Sequence, residues 1–214
     1  MESFYQFAAL ISAVAWSTSG VILKTIKFNR YFSFAFYEAL ISLIIMTIII
    51  TTTESWVPIF NENKTDLLMF TTAASLSCIG TVFYVISIKN NPMGITFTLC
   101  AVSTILISLI LDFTVNNVTY NFLVFIGAVI VLISIFVINF ESFREYKNKN
   151  IIGISGGIFA GSLWGIAVFF NDKALIDGNI FTGAIVRAVI SIIILGIFSE
   201  ILKQRLEITN NKKE

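Results

Sequence analysis

The sequence predicts an all-α integral membrane protein with about seven transmembrane helices and an internal repeat. Hydrophobic residues make up 57% of the 214 residues, charged residues make up 13%, and the mean hydropathy is +0.89. A soluble domain carries about 25% charged residues, so this chain has too few to cover a surface that faces water. The apolar residues also fall into long runs, and two parts of the chain resemble each other.

Seven apolar runs approach the roughly 20 residues that a helix needs to cross the hydrocarbon core of a bilayer. They lie at about 5–26, 32–52, 67–88, 93–111, 121–140, 151–171 and 179–202. The first run is preceded by Glu2 and no basic residue, and it is too long for a signal peptide, so we expect a retained helix. Polar segments separate the runs. The longest is 53–66, and Pro92 predicts a tight turn at 89–92 because proline disfavours helix in the residue before it.

The last two runs repeat the first two. Segments 32–45 and 181–194 are identical at seven of fourteen aligned positions, and one span earlier Trp16 aligns with Trp164. Such repeats are typical of secondary transporters, whose sites lie where two repeats meet. The second copy, however, stops after two helices, so the second repeat is interpreted as incomplete.

Small residues recur every fourth position on the first and sixth spans. Such ridges let helices approach closely in lipid, where no hydrophobic force drives their association. Helix packing is one interpretation, and the lining of a substrate path is the other. The two ridges consist of Ala9, Ala13 and Ser17 on the first span, and Gly153, Gly157, Gly161 and Gly165 on the sixth.

Charged residues inside spans are candidates for function because burying a charge in lipid is unfavourable. Glu38 in the second span and Arg187 in the seventh occupy equivalent repeat positions with opposite charge. They are predicted either to pair or contact substrate, or to snorkel separately to the headgroups. Trp16 and Trp164 are predicted to face a cavity, since an indole N–H at mid-membrane depth needs a partner. Lys24, Asp172 and Lys173 end helices and are interpreted as interfacial anchors or, less simply, as functional residues.

The composition disfavours several function classes. The chain has no histidine, and its net charge of +1 provides no basic field for nucleic acid. Cys78 and Cys100 lie in apolar runs and are interpreted as buried small side chains, not as a metal or disulfide pair. No catalytic residue, metal site or cofactor motif is predicted, so an intramembrane enzyme is disfavoured.

Several short motifs resemble those of the drug/metabolite transporter superfamily, EamA type. The segment from Ala15-Trp16-Ser17 through Gly20 to Lys24 resembles the opening of the family's repeat, Gly127-Ala128 resembles its close, and 162–165 resembles a second opening. Arg187 matches an arginine that the family often carries in this helix, whereas Glu38 departs from it. Members of the family have ten helices in two inverted repeats and carry small metabolites or drugs. The resemblance therefore implies a partial inverted-repeat transporter bundle. Its parts are a first EamA-like repeat of five helices (1–140), a connecting loop (141–150), an incomplete second EamA-like repeat of two helices (151–202) and a polar tail (203–214).

The resemblance implies a carrier for a small organic solute that works by alternating access between the repeats. Because the second repeat has two spans, we expect either a fragment or a chain that is completed by a homo-oligomer or a complementing half. The alternative is a membrane accessory subunit, or an inactive truncation product, with no transport cycle. In every case the lipid bilayer is a partner.

The distribution of basic residues predicts the orientation. With seven spans, one side of the membrane holds Lys64 and Lys173, and the other holds eleven lysines and arginines. The positive-inside rule therefore predicts an external N-terminus and a cytoplasmic C-terminus in the inner or plasma membrane of the cell.

Overall fold

The chain forms a helical bundle in a computed structural model that describes residues 11, 14, 15, 18–22, 24, 25, 31–53, 56–116, 122–138, 140, 144 and 150–201. Every regular element assigned within these ranges is an α-helix. The helices are α1 (Tyr31–Thr52), α2 (Trp56–Phe60), α3 (Lys64–Asn90), α4 (Met93–Thr114), α5 (Phe122–Ile138), α6 (Ile151–Ala174) and α7 (Ile180–Ile201).

Five of these helices, α1, α3, α4, α6 and α7, are long and apolar enough to cross a membrane, and α5 carries a shorter apolar stretch at Ile126–Val137. The prediction of an all-α multi-pass membrane protein is confirmed. Six predicted spans correspond to α1 and α3–α7, with ends that differ by up to three residues. Most of the first span lies outside the described residues.

The segment 53–66, which was predicted to be a polar separator between two spans, contains a short helix. It contains α2, whose Trp56 and Phe60 rings stack with centroids 6.0 Å apart, one helical turn along the chain. Pro58 falls in the first turn of α2, where its missing N–H removes no intrahelical hydrogen bond. Five residues are too few for the periodicity that indicates a helix in a sequence.

Polar side chains cap the long helices. Asn63 Oδ1 accepts a hydrogen bond from Thr65 N at the start of α3, and Asn150 Oδ1 accepts from Ile152 N and Gly153 N at the start of α6. The predicted turn at 89–92 is confirmed, because α3 ends at Asn90 and α4 begins after Pro92. Gly178 closes the turn between α6 and α7, where a Cβ atom would lie 2.3 Å from Ala174 O.

Contacts between helices give the direction of each one. On α4 and α6, residue numbers increase in the same direction along the contact, since Thr104 contacts Gly161 and Ser108 contacts Gly165. These two helices are therefore parallel. Along α3 and α6 the residue numbers run in opposite order, as in Gly80–Trp164 and Ser87–Gly156, so these are antiparallel. By the same reasoning α7 is parallel to α3 and antiparallel to α1. These directions are the ones that seven spans produce when each loop reverses the chain.

The core lies where α1, α3, α4, α6 and α7 meet, with α6 between α3 and α4. Helix α5 lies outside this core, and its large side chains are mostly uncovered, with Phe122 73% exposed and Leu123 71%. A helix that is apolar all round needs an apolar environment, so these side chains indicate contact with lipid. The buried residues of the core are Phe32, Ala35, Tyr84, Val85, Ile88, Cys100, Ala160 and Leu195.

Candidate functional site

A cavity of about 620 Å³ lies between α1, α3, α6 and α7. Its volume is within the 300–1,000 Å³ that is usual for small-molecule sites. Most of its wall consists of small side chains and hydroxyl groups, and its charged groups are few. The lining residues are Ser19, Ala35, Glu38, Ala39, Ser42, Phe70, Ala73, Ala74, Ser77, Cys78, Thr81, Tyr84, Trp164, Ala167, Val168, Asn171, Asp172, Gly183, Ala184, Arg187, Ala188, Ser191 and Leu195.

Glu38 and Arg187 both line this cavity. Each is the eighth residue of its helix, Glu38 in α1 and Arg187 in α7. Because the two helices are antiparallel, each residue lies nearer to a different end of the bundle. The charge of Arg187 acts on the Glu38 carboxylate, yet within the described residues the two side chains form no direct ion pair. The structure thus places both residues in one cavity. Pairing of the two residues, or contact with a substrate, stays a prediction.

Small residues on facing helices make room for the cavity. Ala35 and Ala39 on α1 correspond to Ala184 and Ala188 on α7 at equivalent positions of the repeat. Ser42 and Ser191 are also equivalent, and both line the cavity. The repeat therefore places the same side chains on the parts of the wall that α1 and α7 form, and Glu38 and Arg187 differ between them.

Trp164 forms an aromatic wall of the cavity together with Tyr84. Its Nε1 donates a hydrogen bond to Ser77 O at 3.1 Å, and its ring lies 5.3 Å from the Tyr84 ring between centroids. Gly80 permits this placement, because a Cβ atom there would lie 2.8 Å from the indole. The partner that the indole N–H requires is thus a backbone carbonyl. Trp16, the equivalent residue, lies outside the described residues.

The glycine ridge of α6 packs against α4 and the end of α3. All four glycines are buried. A Cβ atom at Gly161 would lie 2.3 Å from Cys100 O, and one at Gly165 would lie 2.8 Å from Thr104 O. At Gly153 it would lie 2.6 Å from Asn91 Oδ1, and at Gly157 3.0 Å from the Leu99 Cβ atom. The ridge therefore serves packing and does not line the cavity. The matching residues Ala9, Ala13 and Ser17 lie outside the described residues.

Three hydrogen bonds from α4 accompany this packing and form a hydroxyl–carbonyl ladder. The donors lie one turn apart on α4, and the acceptors are carbonyl oxygens one turn apart on α6. Thr104 Oγ1 also bonds Cys100 O within its own helix at 2.8 Å. The ladder consists of Cys100 Sγ to Gly157 O at 3.4 Å, Thr104 Oγ1 to Gly161 O at 3.0 Å and Ser108 Oγ to Gly165 O at 3.5 Å.

The two ends of α3 are held by different contacts. At its C-terminus the Lys24 ammonium donates hydrogen bonds to Ile88 O and to Asn91 O, which satisfies carbonyls that a helix end leaves without partners. Just before its N-terminus Glu62 Oε2 accepts from Asn179 N at 3.1 Å and joins α3 to the turn before α7. Along α3, the last residue that lines the cavity is Tyr84, and the core residues Val85 and Ile88 follow it. The apolar core therefore lies between the cavity and the C-terminal end of α3, which Lys24 caps.

Sequence reasoning missed Asp172 as a cavity residue. Asp172 and Asn171 line the cavity near the end of α6, in addition to any role of Asp172 at the membrane interface. Trp164, Ala167, Val168 and Asn171 precede Asp172 along one face of α6 at helical spacing, and this pattern could have identified it. Lys173 points elsewhere, with its Nζ 4.9 Å from the centre of the Phe169 ring.

Both cysteines are buried free thiols, as predicted, and each has a hydrogen-bond partner. Cys78 Sγ and Ser191 Oγ share a hydrogen bond of 3.1 Å at the cavity wall. Cys100 belongs to the hydroxyl–carbonyl ladder. Within the described ranges no group of three His, Cys, Asp or Glu side chains is placed to hold a metal ion.

Comparison with known proteins gives one family. The model of the EamA-like transporter family matches residues 3–140, which is more than half of the chain. No curated protein and no solved structure matches the chain.

Proposed function

Because the chain belongs to the EamA-like transporter family, whose members are transporters and not enzymes, we propose that it is a membrane carrier for a small organic solute and that the cavity is its binding site. The carrier works by alternating access between the two repeats. The observation that carries this proposal is the cavity itself, which lies between α1 and α3 of the first repeat and α6 and α7 of the second. Sites at the junction of repeats are the rule in secondary transporters.

The polarity of the cavity supports the proposal. Glu38, Asp172 and Arg187 lie in segments that are otherwise apolar enough to span the bilayer. Ionisable residues in such segments face cavities and mark the paths of solutes or ions. A bundle held by packing alone has no need of three charged groups around a space of 620 Å³.

The contacts at the two ends of α3 support a transport cycle. The end near Val85 and Ile88 is closed by the apolar core and by Lys24, whereas Asp172 brings the cavity close to the end of α6. In the cycle that we propose, solute enters past Asp172, and the contacts around Lys24 then open while the end near Glu62 closes. We propose the membrane orientation that the basic residues predict, with the Lys24 end in the cytoplasm of a cell whose inner or plasma membrane holds the protein.

Transport by the reconstituted protein tests the function. Proteoliposomes are loaded with a panel of unlabelled amino acids, nucleosides and cationic drugs, and the exchange of each labelled solute is measured. Ala184→Trp should fill the cavity from α7 and reduce exchange at least tenfold. Ala128→Trp on lipid-facing α5 is the matched control and should retain exchange, because Ala128 does not line the cavity.

Two outcomes would contradict the proposal. If no solute of the panel exchanges although the protein is folded in the liposomes, the alternative of a non-transporting accessory subunit gains support. If both tryptophan variants transport as the unmodified protein does, the cavity is not the path. Completion by a second copy or a complementing half stays a prediction.

A further inference from the structure

We propose that the bundle binds the phosphate of an anionic lipid headgroup at the C-terminal end of α3, between the ammonium groups of Lys24 and Lys89. This inference is independent of the proposed function, because it concerns the outer surface of the bundle and not the cavity. It depends on where α3 ends in the bilayer, on the contact between the two lysines and on the charges around them.

The length of α3 places Lys89 in a headgroup layer. This helix has 27 residues, from Lys64 to Asn90. At 1.5 Å per residue it is roughly 40 Å long. The hydrocarbon core of a bilayer is about 30 Å thick, and the two headgroup layers extend this to about 40–45 Å. A helix of this length that crosses the bilayer therefore ends among the headgroups on both sides, with Lys64 at one end and Lys89 at the other.

The fold brings Lys24 and Lys89 together at one of these ends. Lys24 Nζ donates to Ile88 O and to Asn91 O, which lie on either side of residue 89 in the sequence. Lys89 Nζ in turn lies 3.5 Å from Lys24 O. The positive charge of Lys24 acts on Lys89 at this contact. Like charges that lie so close repel each other, and an anion in contact with both offsets the repulsion.

Lys24 retains a hydrogen-bond donor for such an anion. An ammonium group carries three N–H donors, and the two carbonyl oxygens of α3 accept from two of them. The Lys24 side chain is exposed, and Lys89 is partly exposed beside it. The third donor of Lys24 can therefore reach a group in the headgroup layer.

The surrounding charges favour an anion at this end of the bundle and not at the other. Within the described residues, the end at Lys24 carries the basic residues Lys24, Lys89 and Arg144 and the carboxylate of Glu200. The opposite end carries Lys64, Lys173, Glu62, Asp66, Asp112, Asp172 and Asp177. Basic groups outnumber carboxylates at the first end and are outnumbered at the second. The electrostatic field at Lys24 and Lys89 therefore attracts anions.

A lipid phosphate matches both the chemistry and the depth of this contact. Lysine binds phosphate as a point charge, so two lysines can share the oxygens of one phosphate group. Anionic lipids present that group at the level where α3 ends. Each lysine near an anionic membrane surface contributes an attraction that corresponds to about a fivefold gain in affinity.

Lipid binding by the purified protein tests the proposal. The protein in detergent is titrated with phosphatidylglycerol and with phosphatidylcholine of the same acyl chains, and native mass spectrometry counts the bound lipid. The first molecule of phosphatidylglycerol should bind at least fivefold more tightly, because phosphatidylcholine carries a quaternary ammonium group beside its phosphate. Equal affinity for the two lipids would overturn the proposal.

Variants assign the lipid to the two lysines. Lys89→Gln should reduce the affinity for phosphatidylglycerol about fivefold and leave that for phosphatidylcholine unchanged, whereas Lys89→Arg should retain both. Lys24→Gln should act in the same way, but it also removes the contacts with the α3 carbonyls, so Lys89→Gln is the decisive variant. Lys64→Gln is the matched control, because Lys64 is a lysine at the opposite end of the same helix. A loss in Lys64→Gln as large as in Lys89→Gln would overturn the assignment.

A second measurement separates the lipid from free phosphate. Thermal midpoints are compared in plain detergent, with phosphatidylglycerol added, and with inorganic phosphate or glycerol 3-phosphate added at the same concentration and ionic strength. The lipid should raise the midpoint of the unmodified protein and of Lys64→Gln but not that of Lys89→Gln, and the free phosphates should raise none. An equal rise with free phosphate would overturn the lipid as the source of the anion. If Lys24 and Lys89 serve only to cap α3, no addition will raise the midpoint, and the proposal fails. Neither measurement needs transport, so a protein that carries no solute can still bind the lipid.

Discussion

At the scale of single residues, the glycines of α6 allow this helix to pack closely against α4 because they carry no Cβ atom. Gly161 is the clearest case, because two backbone atoms of Cys100 and the Ser103 Cβ atom occupy the space that a side chain would need. Backbone atoms cannot move aside as the end of a flexible side chain can. Any substitution there must displace one helix from the other.

We expect Gly161→Ala to destabilise the folded protein by about 1–3 kcal/mol, which is typical of overpacking. Gly127→Ala is the matched control on α5, where nothing lies within 4 Å of the added Cβ atom. It should change stability little, since alanine is a better helix former than glycine. Thermal unfolding in detergent measures both variants, and equal midpoints would contradict the packing described for Gly161.

The hydroxyl of Thr104 supports a second prediction at this scale. Thr104→Val removes the hydrogen bond to Gly161 O and keeps the shape of the side chain, so we expect a loss of about 0.5–1.5 kcal/mol. Thr114→Val is the control, because Thr114 Oγ1 bonds only Ile110 O in its own exposed turn. A loss at Thr104 no larger than at Thr114 would show that the contact between helices contributes nothing.

At the scale of elements, Lys24 caps the C-terminal end of α3. Its ammonium group binds two carbonyls at the C-terminus of α3, where the helix dipole favours a positive charge. Lys24→Met should therefore lower the stability by about 1 kcal/mol. Lys89→Met is the control in the same region, because Lys89 Nζ lies 3.5 Å from Lys24 O in an exposed contact. The thermal midpoint should fall more for Lys24→Met, and the reverse order would contradict the capping role.

The elements also show what the sequence can predict. The spans were predictable because a helix that crosses the bilayer needs about 20 apolar residues in a row, and such runs are visible in the sequence. The equivalence of Glu38 and Arg187 was predictable because the repeat can be found by aligning the sequence with itself. The distance between their side chains was not predictable, since it depends on how α1 and α7 pack, which no local pattern encodes. The ridge of Gly153 and Gly161 was visible in the sequence for the same reason as the repeat. Its partner helix, α4, was not visible, because a ridge of small residues fits any neighbour that approaches closely.

At the scale of the whole molecule, alternating helix directions constrain the topology. The parallel pairs α3–α7 and α4–α6 and the antiparallel pairs α3–α6 and α1–α7 are all consistent with one reversal at each loop. The protein is thus a multi-pass membrane protein of the EamA-like transporter family.

This topology predicts the sides of three polar segments. Reporter fusions after Asn61 and Asn116 should report the external side, and one after Asn91 should report the cytoplasmic side, because basic residues concentrate on the side of Asn91. Alkaline phosphatase and fluorescent protein fusions give complementary signals. If the fusions after Asn61 and Asn91 report the same side of the membrane, α3 does not span it. If all three fusions report the side opposite to the one expected, only the predicted orientation is wrong.

The hydroxyl–carbonyl ladder limits the motions that a transport cycle can use. Its three bonds join residues with the same spacing in sequence, so a slide of α6 along α4 by less than one turn, about 5.4 Å, breaks all three together. After a slide of one whole turn, two of the three donors again face carbonyl oxygens of the ladder, but other α4 side chains press against the α6 glycines. We expect the α4–α6 contact to stay intact and to serve as the pivot between the two repeats in the proposed transport cycle. Distances between spin labels on α4 and α6 should then stay constant while those between α1 and α6 change. We therefore expect the movement of the proposed cycle at the alanine-lined cavity and not at the contact between the α6 glycines and α4.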